Sequence, residues 1–167
     1  MKQTGSIYQT VFGELDATKG VFRKGNVSAG STYFVGHEKV EPLVNKLCKE
    51  INEKVVTANT VTEKLNIYFD VHFDLVTIHP FYDGNGRTSR LLMNYLQMYF
   101  NLPLSIVFKE DKAAYFDALQ QARKEENLNI FRLFMFAQYS KYIQQEIEKF
   151  EQSEKAGGKG KGYSFVF

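Results

Sequence analysis

The sequence has no tryptophan, one cysteine, three prolines and no marked excess of either charge. Each scarcity removes a class of protein. A lone Cys48 can close no internal disulfide and cannot alone build a zinc site, which excludes the disulfide-stapled secreted class and the structural-zinc class and fits a reducing compartment. The 21 basic and 19 acidic residues leave a formal net charge of +2, too small and too evenly spread for a dedicated binder of phosphate backbones, so nucleic acid is not an expected partner. No stretch approaches the roughly 18 to 20 apolar residues that span a bilayer, and the opening MKQTGSIYQT lacks the apolar stretch of a signal peptide. No membrane partner is expected, and the expected location is cytoplasmic. What the chain does have is fifteen Phe and ten Tyr, with 44% of its 167 residues hydrophobic and 24% charged, the balance of one globular domain.

Gly, Ser and Thr punctuate residues 1–37 and break every helical stripe, so this lead-in reads as loop-rich. Within it the segment 26–35, with Gly30-Ser31 between short β-prone runs, reads as a small hairpin. From Glu38 onward Val40, Leu43, Val44, Leu47 and Ile51 recur at helical spacing, with Pro42 tolerated in a first turn. Thr60 to His79 reads as a second helix, with Thr62 as cap and apolar residues around most of its circumference, which predicts a central position. Further helices are expected from Gly86 to about Phe100, from Lys112 to Arg123 and from Leu128 to about Glu151. The segment PLSIVF, 103–108, fits a short strand and an extended connection equally. The fold class is mostly α, in a single domain over 1–152, followed by a glycine- and lysine-rich tail over 153–167 whose lysines read as solvated.

The chemistry concentrates in 79–90. His79 precedes Pro80, which offers no N–H and pushes the residue before it out of α geometry, so its imidazole is aimed from a helix terminus. Gly84-Asn85-Gly86 permits positive φ and close backbone approach, and it leads into a helix whose first N–H groups have no internal partners, which makes an anion site. Arg87 and Arg90 share one helical face beside that loop, although positive charge there opposes the helix dipole; the local cost points to function. Asp83 is placed to hold a hard cation such as Mg²⁺, which takes one or two carboxylates and completes its shell with water and phosphate oxygens. Base, carboxylate and anion clamp together imply phosphoryl-group chemistry. A lone histidine or a lone Gly-Asn-Gly is usually structural, but a plain turn needs neither the two arginines nor a histidine before Pro80.

HPFYDGNGR followed by Thr88-Ser89-Arg90 resembles the signature of the Fic family: histidine, any, phenylalanine, any, aspartate or glutamate, glycine, asparagine, glycine, arginine, two variable residues, arginine. Every defining position matches. Gly20-Val21-Phe22-Arg23 resembles a further family segment, and the hairpin, about 26–37, resembles the family's flap on a Fic-type helical bundle. The resemblance implies transfer of AMP from ATP to a Ser, Thr or Tyr hydroxyl of a protein, this one included, with Mg²⁺. It implies His79 as general base, Phe81 as anchor of the loop, Asp83 as the Mg²⁺ carboxylate, and Gly84, Asn85 and Gly86 as the phosphate cradle, the Asn85 side chain included. Arg87 would stabilise the departing β-phosphate and Arg90 would hold the γ-phosphate. Asn94, seven beyond Arg87, borders the nucleotide pocket or supports it from behind. The flap would pair its backbone with an extended segment of the protein substrate.

Many family members are restrained by a helix whose glutamate pairs with the second motif arginine. Two segments match that pattern in part: Ser153 to Gly158, with Gly157 where the glutamate belongs, and Thr10 to Leu15. Three readings stay open: a glutamate lost at Gly157, an inhibitory helix on an antitoxin chain or a missing N-terminal segment, or no such control; the second is favoured. The alternatives in function are a family variant that transfers another phosphate-containing group, and a non-catalytic domain that binds nucleotide or a partner. The phosphorylating branch resembles a motif with alanine and lysine where Gly84 and Gly86 stand, which disfavours the first, and the intact His79 disfavours the second. His72 reads as packing rather than as a metal ligand, His37 as surface, and Tyr95 and Tyr99, with Leu91, Leu92 and Leu96, as core.

Overall fold

The computed structural model describes residues 20–30 and 32–155. Among them the chain is mostly α-helical, with one small antiparallel ribbon. The ribbon pairs β1, Ser28–Ala29, with β2, Thr32–Tyr33, in the register Ser28 to Tyr33 and Ala29 to Thr32. Gly30, at φ 58°, supplies the left-handed turn residue that a tight hairpin needs. The hairpin expected from 26–35 is therefore present, with strands of two residues.

After a 3-10 turn at His37–Lys39, α1 spans Val40–Thr57 and buries Val40, Val44 and Leu47 toward the next helix. Helix α2, Val61–Ile78, buries residues all round its axis, Tyr68, Phe69, Val71 and Leu75 among them, and so takes the central place that its composition predicts. Its cap differs from the expected Thr62. Thr60 is the N-cap: its hydroxyl accepts from the Glu63 N–H at 3.2 Å, while the Glu63 carboxylate accepts from the Thr60 N–H at 2.8 Å. A reciprocal box needs its Thr three residues before the Glu, and only Thr60 meets that spacing.

Helix α3 runs Asn85–Tyr99, and the chain divides into two compact units within it, after Leu96. Its buried stripe is Asn85, Thr88, Ser89, Met93, Leu96 and Gln97. Tyr95 and Tyr99 are 57% and 59% exposed, contrary to the core position expected for them. They share a face with each other, and the helical period sets Tyr95 opposite buried Met93, two residues before it.

In the second unit, α4, Lys112–Lys124, packs on α5, Leu128–Lys155. Tyr115 meets Phe131 edge-on, with ring centroids 6.1 Å apart, over buried Leu119, Ala122 and Met135. The PLSIVF segment forms no strand. Side chains take the ladder's place: Gln97 Oε1 accepts from the Ser105 N–H at 3.0 Å and Gln138 Oε1 from the Phe108 N–H at 3.0 Å. Helix α5 continues to Lys155, beyond its expected end near Glu151. Gly157 and Thr10 to Leu15, where the inhibitory pattern is partly matched, lie outside the described residues. Among the described residues no helix is long and apolar enough to cross a membrane.

Candidate active site

Helix α2 ends at Ile78, and His79 follows in the left-handed region, at φ 53° and ψ 60°. The proline after it closes the α region, as the sequence predicts, but the left-handed choice is costly for a residue with a Cβ, about 1–2 kcal/mol. Something must hold it there. The His79 N–H still donates to Leu75 O at 3.0 Å, while Arg23 catches the carbonyls of Ile78, His79 and Pro80. Arg23 Nε donates to His79 O at 2.8 Å, Nη2 reaches Ile78 O at 3.4 Å, and the Arg23 backbone N–H donates to Pro80 O at 2.9 Å. The last carbonyls of a helix lack internal partners and carry the negative end of its dipole, so a guanidinium is suited to cap them. The imidazole is fixed on two sides: Nδ1 lies 3.4 Å from Val76 O, and the Phe34 ring stacks on it.

Beyond Pro80, Phe81 turns inward, buried to 1% exposure and beside Phe22 at 5.8 Å between ring centroids. Asn85 clamps it. The Phe81 N–H donates to Asn85 Oδ1 at 2.9 Å, and Asn85 Nδ2 donates to Phe81 O at 2.8 Å. The side chain expected to cradle phosphate thus faces the loop's own backbone and shapes it. Gly84, at φ 80°, makes the bend that a side chain would strain, and its carbonyl accepts the first helical bond, from the Thr88 N–H at 2.9 Å. The N–H groups of Asn85, Gly86 and Arg87 then have no acceptor four residues back within α3.

His79, Tyr82, Asp83, Arg87 and Arg90 line one cavity of about 280 Å³ with Gly84, Asn85 and Gly86. All but one of the site residues expected from the sequence therefore meet. Asn94 is not among the lining residues; it is half-buried, and its Oδ1 is enclosed without a hydrogen-bond partner among the described residues. Asp83 is 86% exposed and pairs with Arg87 Nη2 at 3.0 Å. Among the described residues no group of three His, Cys, Asp or Glu is arranged to hold a metal. A single exposed carboxylate lining the cavity beside Gly84, Asn85 and Gly86 is nonetheless a donor that suits Mg²⁺, which takes its remaining oxygens from water and phosphate.

Two titratable groups on α2, one buried and one half-buried, lie just before the site. His72 is fully buried on α2 and its pKa is pushed down to about 3, first by burial and then by the charge of Arg90. It therefore packs as a neutral ring, as expected. On the same helix Asp74 is pushed up to about 6 by burial and then by nearby Asp70.

Phe34 and the reach of Arg23 were not singled out by sequence reasoning. Arg23 carries a visible signal only as part of the Gly20 to Arg23 segment, and Phe34 only as one apolar residue of the hairpin. Tyr82 adds a third tie, its hydroxyl accepting from the Lys24 N–H at 3.1 Å.

The comparisons with known proteins agree with this geometry. Over 125 residues the chain is 35% identical to protein adenylyltransferase Fic of Aedes aegypti, covering 74% of this chain and 24% of that protein. The corresponding Drosophila melanogaster protein is 32% identical over 125 residues, covering 74% and 25%. The chain thus spans about a quarter of the length of these curated relatives. Among solved structures, Fic-1 from C. elegans superposes with a TM-score of 0.76 at 27% identity, over 91% of this chain and 44% of that one. Residues 2–97 match the Fic/DOC family profile, a span that takes in the hairpin, the turn at His79 and the loop and helix start over 83–90, and the chain is a member of that family.

Proposed function

We propose that this domain is a protein adenylyltransferase, moving AMP from ATP to a Ser, Thr or Tyr hydroxyl of a protein substrate and of itself. One observation carries the reading: His79 and the two arginines line the same small cavity as Gly84, Asn85 and Gly86 at the start of α3. The relatives' shared name, protein adenylyltransferase, supports it.

In this reading the triphosphate lies on the Gly84-Asn85-Gly86 backbone. Val76 O beside Nδ1 favours the tautomer with its proton there, leaving Nε2 as the base. Nε2 takes the hydroxyl proton of the protein substrate, the hydroxyl oxygen bonds to the α-phosphorus, and the bond from that phosphorus to the bridging oxygen breaks, releasing pyrophosphate. Arg87 stabilises the charge that gathers on the departing β-phosphate, and Arg90 holds the γ-phosphate. Asp83 is the residue that would hold Mg²⁺, which when bound would neutralise phosphate charge. Asn94, outside the cavity lining, supports the nucleotide site from behind, two turns further along α3. The flap offers a strand edge on which an extended substrate segment can pair, with Tyr33 exposed beside it.

Control by an inhibitory helix that pairs with Arg90 belongs to the same proposal, with an antitoxin chain or residues outside this chain as its source. The exposed Arg90 side chain supports it. The setting is a compartment with ATP and Mg²⁺, the cytoplasm.

Incubation with ATP labelled at the α or the γ position tests the reaction class. Protein-bound label from the α position alone, absent in His79→Ala, is expected. Label from the γ position would make the domain a phosphorylating variant, and ATP binding without any label would make it a binding module.

A further inference from the structure

We infer that Arg23 is a positioning residue that couples the flap to the catalytic base, so that seating a protein substrate and aiming His79 depend on one buried guanidinium. The inference rests on the proposed role of His79 and adds a residue that touches neither nucleotide nor hydroxyl.

Arg23 is 2% exposed, yet among the described residues its side-chain hydrogen bonds run to backbone carbonyls rather than to a carboxylate. Nε and Nη2 take His79 and Ile78 at the end of α2. Nη1 takes Gly25 at 2.9 Å, and Nη2 also takes Val35, so both chains that lead into and out of the hairpin are tied to the same planar group. Val35 follows Phe34, whose ring lies on the His79 imidazole. The flap's exit, the stacking ring and the left-handed backbone of His79 are thus three parts of one clasp.

Only arginine can make it. Its five N–H groups lie fixed in one plane and point in separate directions, whereas a lysine presents three donors from a single atom and cannot reach carbonyls on opposite sides. Arg23→Lys keeps the charge near the end of α2 but loses the tie between hairpin and His79. A base displaced by an ångström loses about 100-fold in rate, while the cradle over 84–90 is held by Asn85 and Gly84. Hence kcat should fall and ATP affinity should stay.

The test compares wild type, Arg23→Lys and His79→Ala. The sequence holds three histidines, so the imidazole signals of His79 are assigned by their absence in His79→Ala. In wild type the Phe34 ring current should shift them upfield. In folded Arg23→Lys that shift should shrink, kcat should drop about 100-fold and ATP affinity should change less than about twofold. Retained shift with retained kcat overturns the inference, as does a parallel loss of ATP affinity and rate. Should Arg23→Lys not fold, the wild-type protein decides: an Arg23 Nε–H that exchanges with solvent as slowly as the Phe34 amide supports the clasp, and one that exchanges as fast as free arginine refutes it. If wild type and His79→Ala both leave hydroxyls unlabelled, the proposed function fails while the ring-current measurement still judges Arg23.

Discussion

The ring of Phe34, one residue beyond β2, lies 3.8 Å from the ring of His79, with the two planes only 17° apart. A hairpin side chain therefore forms one wall of the place where the imidazole sits. The stack restricts rotation of His79 and ties its orientation to that of the flap.

If His79 is the base, as proposed, removing the ring should release it without touching the loop over 83–90. Phe34→Ala is expected to lower kcat/KM toward a protein substrate about fivefold, in line with the roughly 1 kcal/mol that an aromatic pair contributes. Phe34→Tyr should retain most of the rate. Steady-state kinetics with ATP affinity measured alongside checks both, and the affinity should be the same in all three proteins.

Asp83 and Asn85 stand two residues apart and should fail in opposite ways. The Asp83 to Arg87 pair is open to solvent, so Asp83→Ala should cost less than about 1 kcal/mol and move Tm by no more than about 3 °C, while activity drops at least about 100-fold. Asn85 is buried and satisfies both backbone groups of Phe81. Asn85→Ala leaves a buried donor and acceptor unpaired, at about 1–3 kcal/mol each, and should lower Tm by several degrees. Thermal melts beside activity assays separate the two.

Gly86 is helical and a Cβ there would meet only Arg90 Nη1, at an ordinary 3.5 Å. The protein's own packing does not require glycine. Gly86→Ala should raise stability by up to about 1 kcal/mol and still impair transfer, because the methyl stands where phosphate must approach the backbone. A variant as active as wild type would show that the cradle lies elsewhere.

His72 and Asp74 pull stability in opposite directions with pH. His72 has its pKa lowered from 6.5 to about 3, so its contribution is complete above about pH 6.5 and is lost as pH falls toward 3. Asp74 has its pKa raised from 3.8 to about 6, so its contribution is complete below about pH 4 and is lost as pH rises through 6. Between about pH 4 and 6 the two one-proton slopes nearly cancel, and below 4 only the loss from His72 remains. Asp74→Asn should uncover the slope of His72, close to 1.4 kcal/mol per pH unit between pH 6 and 4, and should be more stable than wild type at pH 7. Denaturant unfolding across pH 4 to 8 measures this. The groups that face Asp74 are Asp70, Lys54, Glu50 and Lys46, all retained in the variant.

What was legible in the sequence was local. The helices announced themselves through apolar spacing, and the cavity at 79–90 through a histidine before Pro80, a Gly-Asn-Gly turn and two arginines on one helical face, which line it together. What stayed hidden depends on partners distant along the chain. Arg23 and His79 are joined by a bond spanning 56 positions, which no periodicity reports, and Pro80 announces only that His79 leaves the α region, not that its backbone is left-handed. The burial of Tyr95 and Tyr99 was misread because spacing reveals that two residues share a face but not which face is covered. Thr60 could have been read correctly, since Glu63 three residues on completes its box.

The most direct measurement is intact-protein mass spectrometry of the domain after incubation with ATP and Mg²⁺, wild type beside His79→Ala. AMP transfer through His79 predicts a gain of one AMP mass, on the domain or on a protein substrate present with it, in the wild-type reaction and no gain with His79→Ala. A gain of one phosphate, or an AMP adduct that forms equally without His79, would contradict it.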